Sequence, residues 1–550
     1  MSSPTLASGI AKSLPKGVEL KVRHLTHPPT SCDPIFSPPP DEQPELTHFQ
    51  SHFLVVSLRY SKNNEGKADN DCELLVFAIE VLVYTTAQLT TIFVSKADSA
   101  GYLYLLDLPP KSSSLIRNIS TAFLSYLIRA HQRPGVRLVL CLFARAHGWY
   151  LFRGSAQNPH KHVLDDRGLI KWWCRAVDPI LRSFEPEDQR QSKDFNKTTQ
   201  EDGEKEPKKL EEKTNTSATA YLIVPGCEKP EMKTFFPPTF KSDDNCLRPR
   251  WVNGYPLHQL SSFPTAPPRC LVPRFPDDPK TRFLIDLDDS IPQGSSTGQW
   301  PSIKTLDQFW EMMAFRQECS AGRLVGFLWM VVNPPGVLNS DGIGPDKSAA
   351  KSAPSSSSAK APPPASDKSL STTLEQPGEK QGTPDPSTNP RPLTTIVTQS
   401  LPPRGVDPNT ILLSHEDYTS ATDFLTDHEF PDKETSLTST GSWLEKLTSI
   451  LHGDSNHGEK IIGECEPAPQ PLSQSSTCAD TTMNVLTTGF IRKRKKRDEP
   501  QAEEATNGVS TSDTTSSICA RDRPAEVKER DALSTSANVL DAASIRKKRR

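Results

Sequence analysis

Phe275-Pro276-Asp277-Asp278-Pro279-Lys280-Thr281-Arg282-Phe283 sets two adjacent carboxylates before a proline and a lysine, between aromatic residues. Proline fixes its own φ and biases the residue before it towards an extended backbone. Asp278 is therefore held at a turn and does not slide into a helix. As local structure the stretch is a helix start, with an aspartate N-cap and proline at the first helical position. As chemistry it is a carboxylate fixed beside apolar rings, where a raised pKa lets it accept a proton near neutral pH. Alone, the stretch favours the first reading, and the rest of the chain must supply any reason for the second.

Working outward, residues 50–333 carry the pattern of a folded domain. His52–Tyr60 and Cys72–Tyr84 are dense in β-branched and aromatic residues and predict two strands, with a shorter third at Thr91–Ser95. Ser113–Ile128 spaces Leu115, Ile116, Ile119, Phe123 and Leu127 along one helical face, with Ser112 or Ser113 as cap. Val136–Phe143 predicts a strand buried on both faces and Leu169–Leu181 a second helix. Structure resumes at Tyr221 and runs through Trp251 to Asp288, then a helix over 306–318 and a closing strand over Arg323–Val332. The pattern predicts an α/β fold, a mixed central sheet flanked by helices in one catalytic-sized domain.

The flanks read differently. Only 35% of the 550 residues are hydrophobic, 51 are proline, and mean hydropathy is −0.53. Long parts of the chain cannot bury enough apolar surface to offset ordering entropy. Residues 1–49 are expected to be a partly ordered extension, 185–218 a disordered loop insertion and 334–408 a disordered linker. Residues 409–452 hold short helical segments able to dock on the main domain, and 453–550 form a long disordered C-terminal tail. That tail ends in two basic runs, Arg492–Arg497 and Arg546–Arg550, which read as nuclear-import signals or nucleic-acid contacts.

Several function classes are disfavoured. No run of about 18 apolar residues predicts a membrane span, and residues 1–16 lack the apolar centre of a signal peptide. The 11 cysteines are scattered singly, with no Cys-x-x-Cys pair, against both a disulfide framework and a structural zinc site. The net charge of −3 says little about partners, because the basic residues are unevenly placed.

Four segments stand out together: Phe93–Tyr102 with Lys96-Ala97-Asp98, Leu142–Phe152, Lys161–Leu164 running on to Lys171-Trp172-Trp173, and Phe275–Phe283. In this order and spacing they resemble the fungal histone acetyltransferases of the regulator-of-Ty-transposition type, which acetylate lysine fifty-six of histone H3. That family is distantly similar in fold to the CBP-type acetyltransferases. The resemblance spans most of residues 50–330. It implies acetyl transfer from acetyl-CoA to a histone H3 lysine without a metal, in replication-coupled chromatin assembly and the DNA damage response.

The resemblance also implies roles. Asp278, with Asp277 beside it, would take the proton from the lysine amine, which is almost wholly protonated at pH 7 in its free form. Which of the two is the base stays open at this point. Asp98 would shape the substrate channel, with Trp173 and Tyr150 lining it. Coenzyme contacts would come from Ala97, Asp98 and Ser99, from Ser113, Ser114, Leu115, Ile116 and Arg117 at a helix start, and from Phe143, His147, His162, Val163, Leu164 and Trp172. Helix N-termini favour phosphate, which suits the second group. Between Tyr102 and that helix the chain is longer than expected, and His147 stands where a small residue is expected. Lys280 would be a site of autoacetylation; its bland alternative is an ion pair with one of the aspartates. Expected partners are histone H3 with H4 and histone chaperones of the nucleosome-assembly and anti-silencing types, in the nucleus, without sequence-specific DNA contact. The 185–218 insertion and the tail beyond Arg492 are candidate docking segments. A rival of another class is a non-catalytic chromatin scaffold, which would need neither Asp278 nor Trp173.

Overall fold

The computed structural model describes residues 5–40, 42–61, 71–108, 114–187, 216–243, 249–291, 299–316, 322–337, 339, 407–454 and 457–466. These fall within one compact unit, residues 1–470. In chain order the elements are α1 (Leu6–Ser13), β1 (Glu19–Thr26), β2 (Thr30–Cys32), β3 (Thr47–Ser61), β4 (Asp71–Thr85), β5 (Leu89–Ser99), α2 (Leu115–His131), β6 (Arg137–Ala144) and α3 (Asp166–Arg182). Then come β7 (Ser217–Ile223), the single turns α4 (Lys229–Met232) and α5 (Leu257–Leu260) on either side of β8 (Trp251–Asn253), α6 (Pro279–Asp288) and α7 (Leu306–Met313). The chain closes with β9 (Gly326–Asn333), β10 (Thr410–Leu412), α8 (His415–Asp427), α9 (Lys433–Ile450) and β11 (Glu459–Ile462).

One mixed sheet organises the fold, in the order β10-β1-β3-β4-β5-β6-β9-β7-β8, with β11 also on β1 and β2 on β3. The long β3–β4 and β4–β5 pairs are antiparallel, whereas β5 and β6 run parallel through the crossover helix α2. Alternate residues of the central strands feed two cores. Ile92, Val94, Leu138, Leu140 and Leu142 face α2 and α3. Leu89, Phe93, Val139, Cys141, Phe327 and Trp329 face α6 and α7. Helices on both faces of a sheet are the layered solution that leaves neither apolar face wet.

The expected strands and helices of the domain are present with shifted ends. The first helix starts at Leu115 and is capped by Ser114, whose hydroxyl accepts from the Arg117 amide at 3.4 Å; Ser112 and Ser113 lie outside the described residues. The second helix starts earlier, at Asp166, behind the Asp165 cap. The helix expected over 306–318 ends at Met313.

Several expected boundaries are corrected. Residue 50 falls inside β3, and the segment before it is no mere extension, because β1 lies between β3 and β10 within the sheet. Its strand character was hidden by charge. Arg23 is buried, and its guanidinium is satisfied by Glu73 at 2.7 Å, Ser57 at 3.1 Å and His457 at 2.9 Å. Ser217 and Ala218, expected in the loop insertion, belong to β7, and Glu185 bridges to Ser217; residues 188–215 lie outside the described residues. Of the expected linker from 334, residues 334–337 and Asn339 are among the described residues, and Asn339 binds Glu187, Gln259, Asn333 and Thr219. At its other end Asp407 is buried and accepts from the Leu6 amide at 2.9 Å. β11 lies in the expected tail, antiparallel to β1. The basic runs lie outside the described residues.

Residues 407–466 complete the domain. Trp443 of α9 is fully buried, its indole donating to the Ala421 carbonyl of α8 at 2.9 Å. The Leu75 amide of β4 donates to Thr440 of α9 at 3.2 Å. Among the described residues, no helix is long and apolar enough to cross a membrane.

Candidate active site

The parallel strands β5 and β6 stop pairing at Val94 and Leu142. Beyond that point Lys96, Ala97, Asp98 and Ser99 of β5 pair with β4 alone, and Phe143 and Ala144 of β6 with β9 alone. The two strands therefore part at their carboxyl ends. Such crevices are where open α/β sheets receive ligands, and backbone edges freed from a ladder can bind one.

Asp98 holds one side of this gap together. One carboxylate oxygen accepts the amides of Tyr150, Leu151 and Phe152 at 2.7, 3.0 and 3.1 Å. The other accepts the Ser99 amide at 2.8 Å and the Lys161 ammonium at 2.7 Å. With both oxygens so occupied, the Asp98 carboxylate fastens the 150–152 backbone and Lys161 to the end of β5. The Tyr150 hydroxyl donates to the Arg145 carbonyl at 2.7 Å, and burial pushes its phenol up to about 12. Gly101 has φ +91°, and a Cβ there would lie 2.8 Å from that of Lys161, so glycine lets the Lys161 segment approach β5.

Asp166, which the sequence reading passed over, holds the other side. It opens α3 and accepts the amides of Ala146 at 2.8 Å and Leu324 at 3.0 Å, with the Arg323 guanidinium at 2.7 Å. Burial raises its carboxyl, but Arg323 and these amides outweigh burial and leave it below the usual range. The adjacent Asp165-Asp166 pair at a helix start was its one signal in the sequence.

On the α6 face, the aspartate turn is anchored by aromatic packing. Phe275 stacks on Phe93 of β5, and Phe93 lies 6.2 Å from the Phe143 ring. Asp277 adopts φ +58° and is largely exposed, with Lys96 3.4 Å away. Burial lowers the Lys96 ammonium, but Glu80 and Asp277 outweigh it and raise it overall.

Asp278 is fully buried and is the N-cap of α6; it accepts the Lys280 amide at 3.0 Å and pairs with the Lys280 ammonium. That ammonium is itself buried over the rings of Phe275 at 4.8 Å and Phe327 at 5.5 Å. Burial raises the Asp278 carboxyl above its ordinary value, with Lys280 pulling against it. Both bland readings, helix cap and ion pair, are thus present at the residue that also has a base's environment.

The other expected residues surround the gap unevenly. Ala97, Ser99 and the half-buried Phe143 lie on the parted strands. His147 is exposed, 5.5 Å from the Tyr150 ring. His162 and Val163 are exposed and Leu164 half-buried just before α3. Trp173 packs in the α2–α3 core, with half-buried Trp172 edge-on at 4.9 Å. Trp173 and Asp278 thus belong to opposite faces of the sheet. Trp173 lies two turns into α3, about 10 Å from its start. Ser114, Leu115 and Ile116 form the first turn of α2. Arg117 instead lines a groove outside α2 and α3 with Arg175. Ser113 lies outside the described residues. Among the described residues, no group of three or more His, Cys, Asp or Glu converges as a metal site.

A family model described as the histone acetyltransferase KAT11-type domain matches residues 6–137 and 131–446. The chain is 45% identical over 582 residues to histone acetyltransferase rtt109 of Aspergillus flavus, covering 98% of each chain. It is 29% identical over 322 residues to the Schizosaccharomyces pombe protein of that name, covering 58% of this chain and 69% of that one. The crystal structure of Rtt109 from Aspergillus fumigatus superimposes with a TM-score of 0.64 at 47% identity, covering 84% of this chain and all of that one.

Proposed function

The chain belongs to the Rtt109-type family of fungal histone acetyltransferases, and from that premise we propose how its own residues carry the reaction. The protein is an acetyl-CoA-dependent enzyme acting on histone H3, which sets aside the scaffold reading. The carrying observation is the buried Asp278 carboxyl, raised by burial, on a turn that the Phe275–Phe93 stack holds against β5 one residue before that strand leaves β6.

Acetyl-CoA supplies an acetyl thioester, whose carbonyl carbon is attacked by a neutral lysine amine as the bond to sulfur breaks. Asp278 takes the proton that the amine gives up and holds the nitrogen in line. Burial suits it to this role, since a base works best when its pKa approaches the working pH. Asp277, exposed beside Lys96, stands at the mouth and draws the incoming ammonium. Tyr150 lines the channel, Trp173 supports its α3 wall from the α2–α3 core, and Asp98 acts through the loop that it fastens. The coenzyme runs along Ala97–Ser99, Phe143, His147 and the 162–164 strip with Trp172, its phosphates at the start of α2 from Ser113 to Arg117. The gap fits this use: freed backbone edges and apolar Phe143 border it, and helix starts favour phosphate. Acetylation of Lys280 would remove the charge that pairs with Asp278 and raise its basicity.

The preferred lysine is fifty-six of H3, presented with H4 by chaperones of the nucleosome-assembly and anti-silencing types. The basic runs at 492–497 and 546–550 direct the protein to the nucleus, in service of chromatin assembly and repair.

The test is acetyl transfer from labelled acetyl-CoA to chaperone-bound H3 by wild type, Asp278→Asn and Trp173→Ala. Loss of activity in both folded variants supports the assignment. Full activity in either removes that residue from the site, and an inactive wild type overturns the reading.

A further inference from the structure

A groove of about 800 Å³ lies between α1, α2 and α3, on the side of α2 and α3 turned from the sheet. Arg117, Thr121, Ser125 and Arg129 recur at four-residue spacing along its α2 wall and so stand one above another. Arg175 of α3 faces them, and Gly9, Ser13 and Ala122 keep the groove open. Asp178, the one carboxylate in the lining, is already used by Arg182, Thr239 and the Trp251 indole. Arg117, Arg129 and Arg175 form no ion pair among the described residues; Arg117 is depressed by burial and by Arg175 itself.

We propose that this groove is a docking site for an extended acidic peptide of a partner protein, whose carboxylates are taken by Arg117, Arg129 and Arg175. Arginine is suited to this because its guanidinium can grip a carboxylate by two parallel hydrogen bonds. Twelve helical residues from Arg117 to Arg129 span about 18 Å, the length of five or six residues of extended chain at about 3.3 Å each. The lining holds no aromatic ring on which a base could stack, which favours a peptide over a single-stranded nucleic acid. The coenzyme is the nearer rival, since Arg117 also belongs to the strip proposed for its phosphates. The inference does not rest on the assignment of Asp278.

The experiment is fluorescence anisotropy with the full chain and a labelled peptide of about ten glutamates, against the double variant Arg129→Glu/Arg175→Glu. Losing charge-assisted hydrogen bonds should weaken binding by about tenfold or more. Basal acetyl transfer to free H3 and Tm should not change, and saturating CoA should leave the peptide bound. Arg129→Gln/Arg175→Gln should give a smaller loss, which guards against misfolding of the first variant. Equal affinity in wild type and both variants would place the peptide on the basic tails and overturn the proposal. Displacement by CoA would assign the groove to the coenzyme. Tighter binding of a single-stranded oligonucleotide, lost in the same variants, would make the site one for nucleic acid.

Discussion

Phe93 and Phe275 lie face to face, with ring centroids 4.1 Å apart and planes 8° from parallel. The stack ties the aspartate turn to the middle of β5, 182 positions earlier in the chain and one residue before that strand leaves β6. It sets where the start of α6 meets the parting strands. The Phe275 amide adds a hydrogen bond to Thr281 at 2.8 Å, closing the turn on itself. Asp278 is therefore placed by packing on both sides.

Replacing Asp278 with asparagine should lower kcat by about 10²–10⁴, the usual worth of a positioned base. Asparagine caps a helix as well as aspartate, but the buried Lys280 ammonium would lose its counter-charge, at about 3–5 kcal/mol. Asp278→Asn/Lys280→Met should recover much of that stability and none of the activity. Denaturant midpoints beside kcat for the two proteins separate the effects; activity returning with stability would show that Asp278 serves only as a cap and ion-pair partner.

Activity should rise with pH as Asp278 ionises. Burial raises its carboxyl and Lys280 opposes this, so the acid limb should lie above the ordinary aspartate value of about 3.9. Lys280→Gln should move the limb further up. The stability contribution has the reverse sign to that of a salt-bridged surface carboxylate. With the folded pKa raised, it is fully present below the unfolded value and is lost as pH rises through the folded one. Profiles of kcat against pH for both proteins check this, and a limb that moves down in Lys280→Gln would contradict it.

Asp98→Ala should release the 145–161 loop, because three backbone amides and the Lys161 ammonium lose their acceptor at once. Breaking a buried ion pair costs about 3–5 kcal/mol. Hydrogen exchange should quicken at Tyr150, Leu151 and Phe152, and KM for acetyl-CoA should rise more than kcat falls. A pure kcat loss with unchanged exchange would instead make Asp98 a participant in the chemistry.

Acid should loosen the far end of the sheet. His24 and His52 are 3.0 Å apart, His52 and His131 likewise, and His24 reaches the Thr410 hydroxyl of β10 at 3.2 Å. Burial depresses His24 to about 3, though Asp407 opposes it; burial depresses His131 to about 4, and burial with His131 and His24 depresses His52. The fold keeps them neutral while the unfolded chain takes up protons below about 6.5. Stability should then fall as pH drops from that value towards 4, with a slope approaching about 1.4 kcal/mol per pH unit for each histidine. Denaturant midpoints measured across this range should show the fall, and His131→Gln should flatten it; an unchanged slope in that variant would exclude His131 as a source.

Much of the fold was legible because its signals are local. The β-branched runs of β3 to β6 and the apolar stripe of α2 repeat with the period of the element they form. β1 was missed because Arg23 and His24 break its apolar pattern, and both are buried only through distant partners. The strands β10 and β11 are three and four residues long and have little pattern to read.

The site divides in the same way. Pro276, Pro279 and the aspartate pair determined by themselves that a helix begins at Asp278, since proline geometry and capping act within a few residues. Only the tertiary structure decided that Asp278 is buried while Asp277 faces outward to Lys96, that Asp98 fastens a loop, and that Asp166 locks the start of α3. It alone decided that β5 and β6 part after Val94 and Leu142. Electrostatic and packing partners are chosen by where distant segments meet, as when Arg23 meets His457 from 434 residues away, and no neighbouring residue records that choice.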